Sequence, residues 1–151
     1  MAKVNFNKLK KEVIDSAQQG LFKCAFLTKE RLKQNVGLTD HDIEELAKLG
    51  HPYHPDHYRA IHSPEWVVHK QSGELYNSIK IVKESQNSYA IGADESIRDP
   101  ETGAYYVIDV IEGTSKMVAR NYPLNTLMEL EENKVLEKTM EDYIKKGLDN
   151  I

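Results

Sequence analysis

The sequence predicts an α+β fold on three observations. Apolar residues recur at three- and four-residue steps early and again late in the chain. The stretch between is built of short β-branched and aromatic runs, and the breaks between those runs carry turn residues. Helices then strands then a helix imply N-terminal helices, an antiparallel β-sheet of about four strands, and a C-terminal helix packed on the sheet. At 151 residues the chain suits one domain. Its divisions are a helical start (1–50), a Pro/His-rich arm (51–64), the sheet (65–112), a loop (113–123) and the C-terminal helix (124–148).

Each element has its own signal. Over 5–35 the residues Phe6, Leu9, Val13, Ala17, Leu21, Cys24, Ala25 and Leu32 trace one helical face. Gly20 weakens the middle and predicts a kink or break, and Gly37 a stop. A short second helix follows, with Thr39 as N-cap and Gly50 as its left-handed end. The arm 51–64 holds Pro52, Pro55 and Pro64, which stiffen and extend it. WVVHK, SIKIVKES, NSYAIGA and AYYVIDVIEG then read as four strands. Asp99-Pro100-Glu101-Thr102-Gly103 is a turn that makes the last two a hairpin. Near the end, Leu127, Met128, Val135, Leu136, Met140, Tyr143 and Ile144 mark an amphipathic stripe, preceded by Pro123, with Asn125 or Thr126 as cap.

Composition narrows the function. Hydrophobic residues make up 40% and charged residues 29%, a globular mixture with no apolar run of membrane-spanning length and no signal-peptide pattern. The lone Cys24, in apolar LFKCAFL, reads as a buried thiol in a reducing interior. A net charge of −4 gives no general affinity for nucleic acid. The charge is uneven, though. Lys3, Lys8, Lys10 and Lys11 crowd the start, while Glu129, Glu131, Glu132, Glu137, Glu141 and Asp142 crowd the end. Such ends can pair within one molecule or between copies, or be ordinary solvated faces.

The segment HPYHPDHY carries three of the six histidines. Spaced three apart on a proline-broken, extended chain, His51, His54 and His57 alternate faces and do not converge as zinc ligands on a helix would. No metal site is assigned. A small metal-dependent enzyme using this cluster, with His41, His62 or His69, stays an alternative, as does a DNA-binding regulator using the basic first helix. No phosphate loop, nucleophile elbow or HExxH is present, so no catalytic residue and no cofactor is expected. Tyr53, Tyr58 and Trp66 are anchor types for a protein interface, with Arg59 able to hydrogen-bond a neighbour.

The segment IEGTSKMVARNYP lies between the last predicted strand and the final helix. Gly113 can turn sharply out of a strand, Thr114 can close a local turn, and Met117 can fill an irregular pocket on a partner. Lys116 and Arg120 bring two cations to the loop rim, with Tyr122 just beyond. A loop that merely closes the sheet is the plain alternative.

These residues carry a resemblance. EGTSKMVARNYPL is similar to the EfGT-x-x-M-x-A-R-P-F segment of the tail-completion, or head–tail joining, proteins of long-tailed bacteriophages. Ser72-Gly73-Glu74-Leu75-Tyr76-Asn77-Ser78-Ile79 resembles that family's T-G-x-L-x-x-S-I segment. The order of segments matches over roughly 64–148, although Asn121-Tyr122-Pro123 stands where the family has Pro-Phe. The resemblance implies a virion structural protein, made in the bacterial host cytoplasm. It would form a ring, commonly hexameric, that joins the head's connector or stopper to the tail tube. It implies no reaction and no membrane, with DNA only passing through the lumen. A tail terminator or other neck component is the alternative within the same family.

Overall fold

The computed structural model describes residues 3, 5–37, 68, 73–98, 106–113 and 119–149. Helix α1 spans Phe6–Asn35. The Asn5 side chain caps it by accepting from the Lys8 N–H at 3.1 Å. It stops at Val36, next to the expected Gly37. The break expected at Gly20 does not occur. Gly20 is buried, and a Cβ there would stand 3.0 Å from the Tyr143 Cβ and 3.1 Å from the Met140 Sδ. The glycine serves the close approach of another helix.

The predicted second helix (39–50), the arm (51–64) and all of the first predicted strand but Val68 lie outside the described residues. A short helix, α2 (Glu74–Ser78), follows Gly73, whose φ of 83° glycine adopts readily. Two strands come next, β1 (Lys80–Ser85) and β2 (Ser88–Gly92). They pair antiparallel, with Ile81 opposite Ile91 and Lys83 opposite Tyr89. These are the second and third of the strands expected, joined by a turn at Gln86-Asn87.

The fourth strand is a correction. AYYVIDVIEG is helical over Tyr106–Glu112, here α3. Its Val107 and Val110 are 2% and 4% exposed, with half-buried Ile111 beside them, while Ile108 is exposed. That three- and four-residue step is a helix face. Gly113, at φ 78°, ends the helix, and its N–H donates to the Asp109 carbonyl at 2.8 Å. The hairpin expected between strands three and four therefore does not form.

The C-terminal helix is two helices, α4 (Tyr122–Glu132) and α5 (Val135–Asp149). Neither Asn125 nor Thr126 caps the start. Asn121 does, accepting from the Leu124 N–H at 3.2 Å, with Pro123 in the first turn. The break falls at Asn133-Lys134, where Lys134 has φ 55°. Helix α5 runs antiparallel along α1 and does not pack on the sheet as expected. Gly147 meets Ser16 and Glu12, Gly20 meets Tyr143, and the Cys24 Sγ lies 3.6 Å from the Leu136 carbonyl. The hairpin packs on α1 too, through the edge-on rings of Phe22 and Tyr89, 5.9 Å apart. One buried cluster joins Leu32 and Val36 of the α1 end to Leu75, Ile79, Val107, Val110 and Tyr122. Among the described residues no helix is long and apolar enough to cross a membrane.

Candidate assembly surfaces

The residues expected to present the 113–123 loop to a partner divide sharply. Arg120 and Tyr122 are 3% and 0% exposed. The Arg120 N–H donates to the Val110 carbonyl at 2.8 Å, and its own carbonyl accepts from the Tyr122 N–H at 2.8 Å. Arg120 is therefore not a cation on a loop rim; it ties the chain to the end of α3, and Tyr122 fills the core beneath. Gly113 caps α3. Thr114, Lys116 and Met117 lie outside the described residues, as do Tyr53, Tyr58, Arg59, Trp66 and all six histidines. Among the described residues no group of three or more metal-ligating side chains occurs.

The Gly73–Ile79 segment and the described end of the later segment (119–122), some forty residues apart, meet in space. Leu75 and Ile79 from the first, Tyr122 from the second and Val110 from the helix between share the buried cluster. Both glycines, Gly73 and Gly113, sit at positive φ. Described residues of the two motifs thus share one core around Tyr122.

A polar tie fixes α4 across the end of α1. Arg31 reaches Glu129 with two nitrogens, its Nε donating to Oε2 at 3.0 Å and its Nη2 pairing with Oε1. The Asn35 Nδ2 donates to the Thr126 Oγ1 at 2.8 Å and to the Glu129 Oε2 at 3.3 Å. Thr126, expected as a cap, is fully buried in this tie. The hydrogen bonds from Arg31, with a smaller contribution from Asn35, hold the Glu129 carboxyl below its ordinary pKa despite partial burial. A depressed carboxyl contributes stability above its unfolded pKa, and that contribution is lost as pH falls through the folded value. The Arg31 side chain is 40% exposed, so solvent screens the pair. A double-mutant cycle with Arg31→Ala and Glu129→Ala should give a coupling of about 0.5–1 kcal/mol at neutral pH. The coupling should be lost as pH falls through the depressed folded value of Glu129, below the ordinary glutamate range, and should shrink in high salt. An unchanged coupling at low pH would show that the contact is packing and not charge. Sequence reading missed this tie, because residues 98 positions apart leave no local signal.

Cys24 is the buried thiol expected, and burial raises its pKa, which disfavours the nucleophilic thiolate. An open groove of about 740 Å³ runs along α1, lined by Asp15, Gln18, Phe22, Lys23, Phe26 and Tyr143 and not by Cys24. It holds no nucleophile with an adjacent base.

Two apolar surfaces stand out. On α4, the buried face is Tyr122, Thr126 and Leu130, so Leu124, Leu127 and Met128 form an exposed stripe at 51%, 40% and 54%. Leu127 and Met128, expected to face the core, therefore face outward. On α1, Phe6 is 74% and Ile14 44% exposed. Outward apolar stripes on helices mark contacts with other proteins more readily than chemistry. Comparison of the chain with protein-family models, curated proteins and solved structures finds no match.

Proposed function

We propose that this protein is a virion structural component of the neck of a long-tailed bacteriophage. It forms a homo-oligomeric ring that joins the tail to the head connector, and it works by assembly and not by turnover. Its partners on this reading are further copies of itself, the head-closure or connector protein on one side and the tail tube or terminator on the other. No cofactor is called for.

The observation that carries the reading is the convergence of the two family-like segments. SGELYNSI and EGTSKMVARNY are far apart in sequence, yet Leu75 and Ile79 pack with Tyr122 in one cluster. Segments that resemble a single family's motifs have a physical reason to occur together if they build one unit. The outward stripes on α1 and α4 add surface suited to assembly.

The test is electron microscopy of particles from a phage or prophage that lacks this gene. Filled heads separated from finished tails are expected. Normally joined, infectious particles would overturn the reading.

A further inference from the structure

The geometry points to a head-to-tail contact between copies of this chain, in which the first turns of α1 of one copy dock on the α4 stripe of the next. The contact would be the subunit junction of the proposed ring, and in that respect it rests on that reading.

The α1 side is an unfinished packing face. Phe6, Lys10 and Ile14 stand one turn apart, and the same three- and four-residue step leads on to Leu21, Ala25 and Leu32. At the far end this face is covered, with Ala25 at 3% and Leu32 at 2% exposure. At the near end Phe6 is 74% and Ile14 44% exposed. One continuous stripe is therefore buried at one end and open at the other. The open end carries exposed Lys8, Lys10 and Lys11. No ion pair among the described residues involves them.

The α4 side has the matching character. Leu124, Leu127 and Met128 are exposed, and the stripe runs into exposed Glu131 and Glu132, with exposed Glu137, Glu141 and Asp142 beyond on α5 outnumbering exposed Lys134 and Lys138. One patch is apolar with ammonium groups and the other apolar with carboxylates, so each supplies what the other lacks.

The two patches cannot meet within one molecule. The open end of α1 lies where Gly147 of α5 approaches Glu12 and Ser16. Helix α4 is fixed at the other end of α1 by Arg31 and Asn35. Lys10 and Arg31 lie on one unbroken helix, so the separation is about 30 Å at 1.5 Å per residue. Complementary patches at opposite ends of a molecule make a heterologous contact, which closes into a ring or grows as a filament.

The experiment is sedimentation velocity on the full chain and its charge variants, from micromolar to millimolar protein. Wild type should sediment faster as concentration rises. Lys10→Glu with Lys11→Glu should weaken association about tenfold or more, as should Glu131→Lys with Glu132→Lys. All four positions are exposed, and circular dichroism should confirm that each variant stays folded. Mixing the two variants equally should restore association, since every junction then pairs opposite charges. Combining all four substitutions in one chain should restore it too. A wild type that stays monomeric throughout overturns the contact, as does a mixture that stays dissociated. Loss of binding to phosphatidylglycerol vesicles or duplex DNA in the α1 variant, with self-association unchanged, would also overturn it and assign the lysines to a polyanion. Charge-patterned association in a protein whose deletion leaves particles intact would sink the neck reading alone. A neck defect with association indifferent to these charges would sink this contact alone.

Discussion

Tyr122→Ala should unfold the monomer long before it reports on any partner. The side chain is fully buried among Leu32, Val36, Leu75, Ile79, Val107 and Val110. Removing a ring from such a site costs about 3–5 kcal/mol, through lost burial and the cavity left behind. For a domain of this size each kcal/mol lowers the thermal midpoint by about 2–4 °C, so the drop should be roughly 6–20 °C. Tyr122→Phe keeps the ring and should recover most of the loss. Scanning calorimetry of the purified monomer checks both. A stable Tyr122→Ala monomer would make Tyr122 a partner contact, as the sequence alone had suggested, and would contradict its place in the core.

Gly147→Val should separate α5 from α1. A Cβ at this position would lie 2.6 Å from the Ser16 Cβ and 3.1 Å from the Glu12 carbonyl oxygen. The first distance is too short for any relaxed contact and neither atom lies at the end of a flexible side chain. Overpacking of this kind costs about 1–3 kcal/mol, and valine's second and third carbons place it at the upper end. Gly147→Ala is the more telling variant. Alanine should favour an isolated helix by about 1 kcal/mol, so a net loss of stability isolates the clash. Ser16→Gly added to Gly147→Ala should win back part of that loss, because the two positions touch and their effects cannot add independently. Thermal midpoints of the three variants read this directly. A stabilised Gly147→Ala would mean that the helices are not in close contact there.

The long first helix was legible because its apolar step persists over thirty residues, enough to overrule a glycine in the middle. The β1–β2 hairpin was legible because each strand is short and β-branched and the turn between them is polar. AYYVIDVIEG was misread for a physical reason. Valine, isoleucine and tyrosine prefer strands only on average, and a seven-residue run this apolar fits a strand buried on both faces as readily as a helix with Val107, Val110 and Ile111 on one face. The deciding residue was Gly113, which suits a helix end as well as a strand exit. The final helix was read as one because neither glycine nor proline marks its break; Lys134 takes the left-handed turn without a special residue type. Of the interface residues chosen from sequence, Arg120 and Tyr122 proved to be core. Arginine and tyrosine are common at interfaces, and no local pattern tells an interface from a core built by distant segments. The outward stripe on α4 was hidden because Leu124, Leu127 and Met128 are of the same type as core residues.

The pairing of α1 with α5 also sets a timetable for synthesis. Cys24 and the carbonyl it approaches on α5 are 112 residues apart. At about 5–20 residues per second, the ribosome delivers the second partner roughly 5–20 s after the first. Through that interval α1 has neither α5 nor α4 to cover it, and side chains buried in the finished fold, such as Cys24 and Ala25, face water or a chaperone. The nascent chain therefore cannot complete its tertiary structure in step with translation, and the decisive packing waits for α4 and α5 to emerge. Polysomes translating this message would hold many copies of a bare α1 side by side, so slow elongation near the 3′ end of the reading frame should reduce soluble yield more than slow elongation near the start.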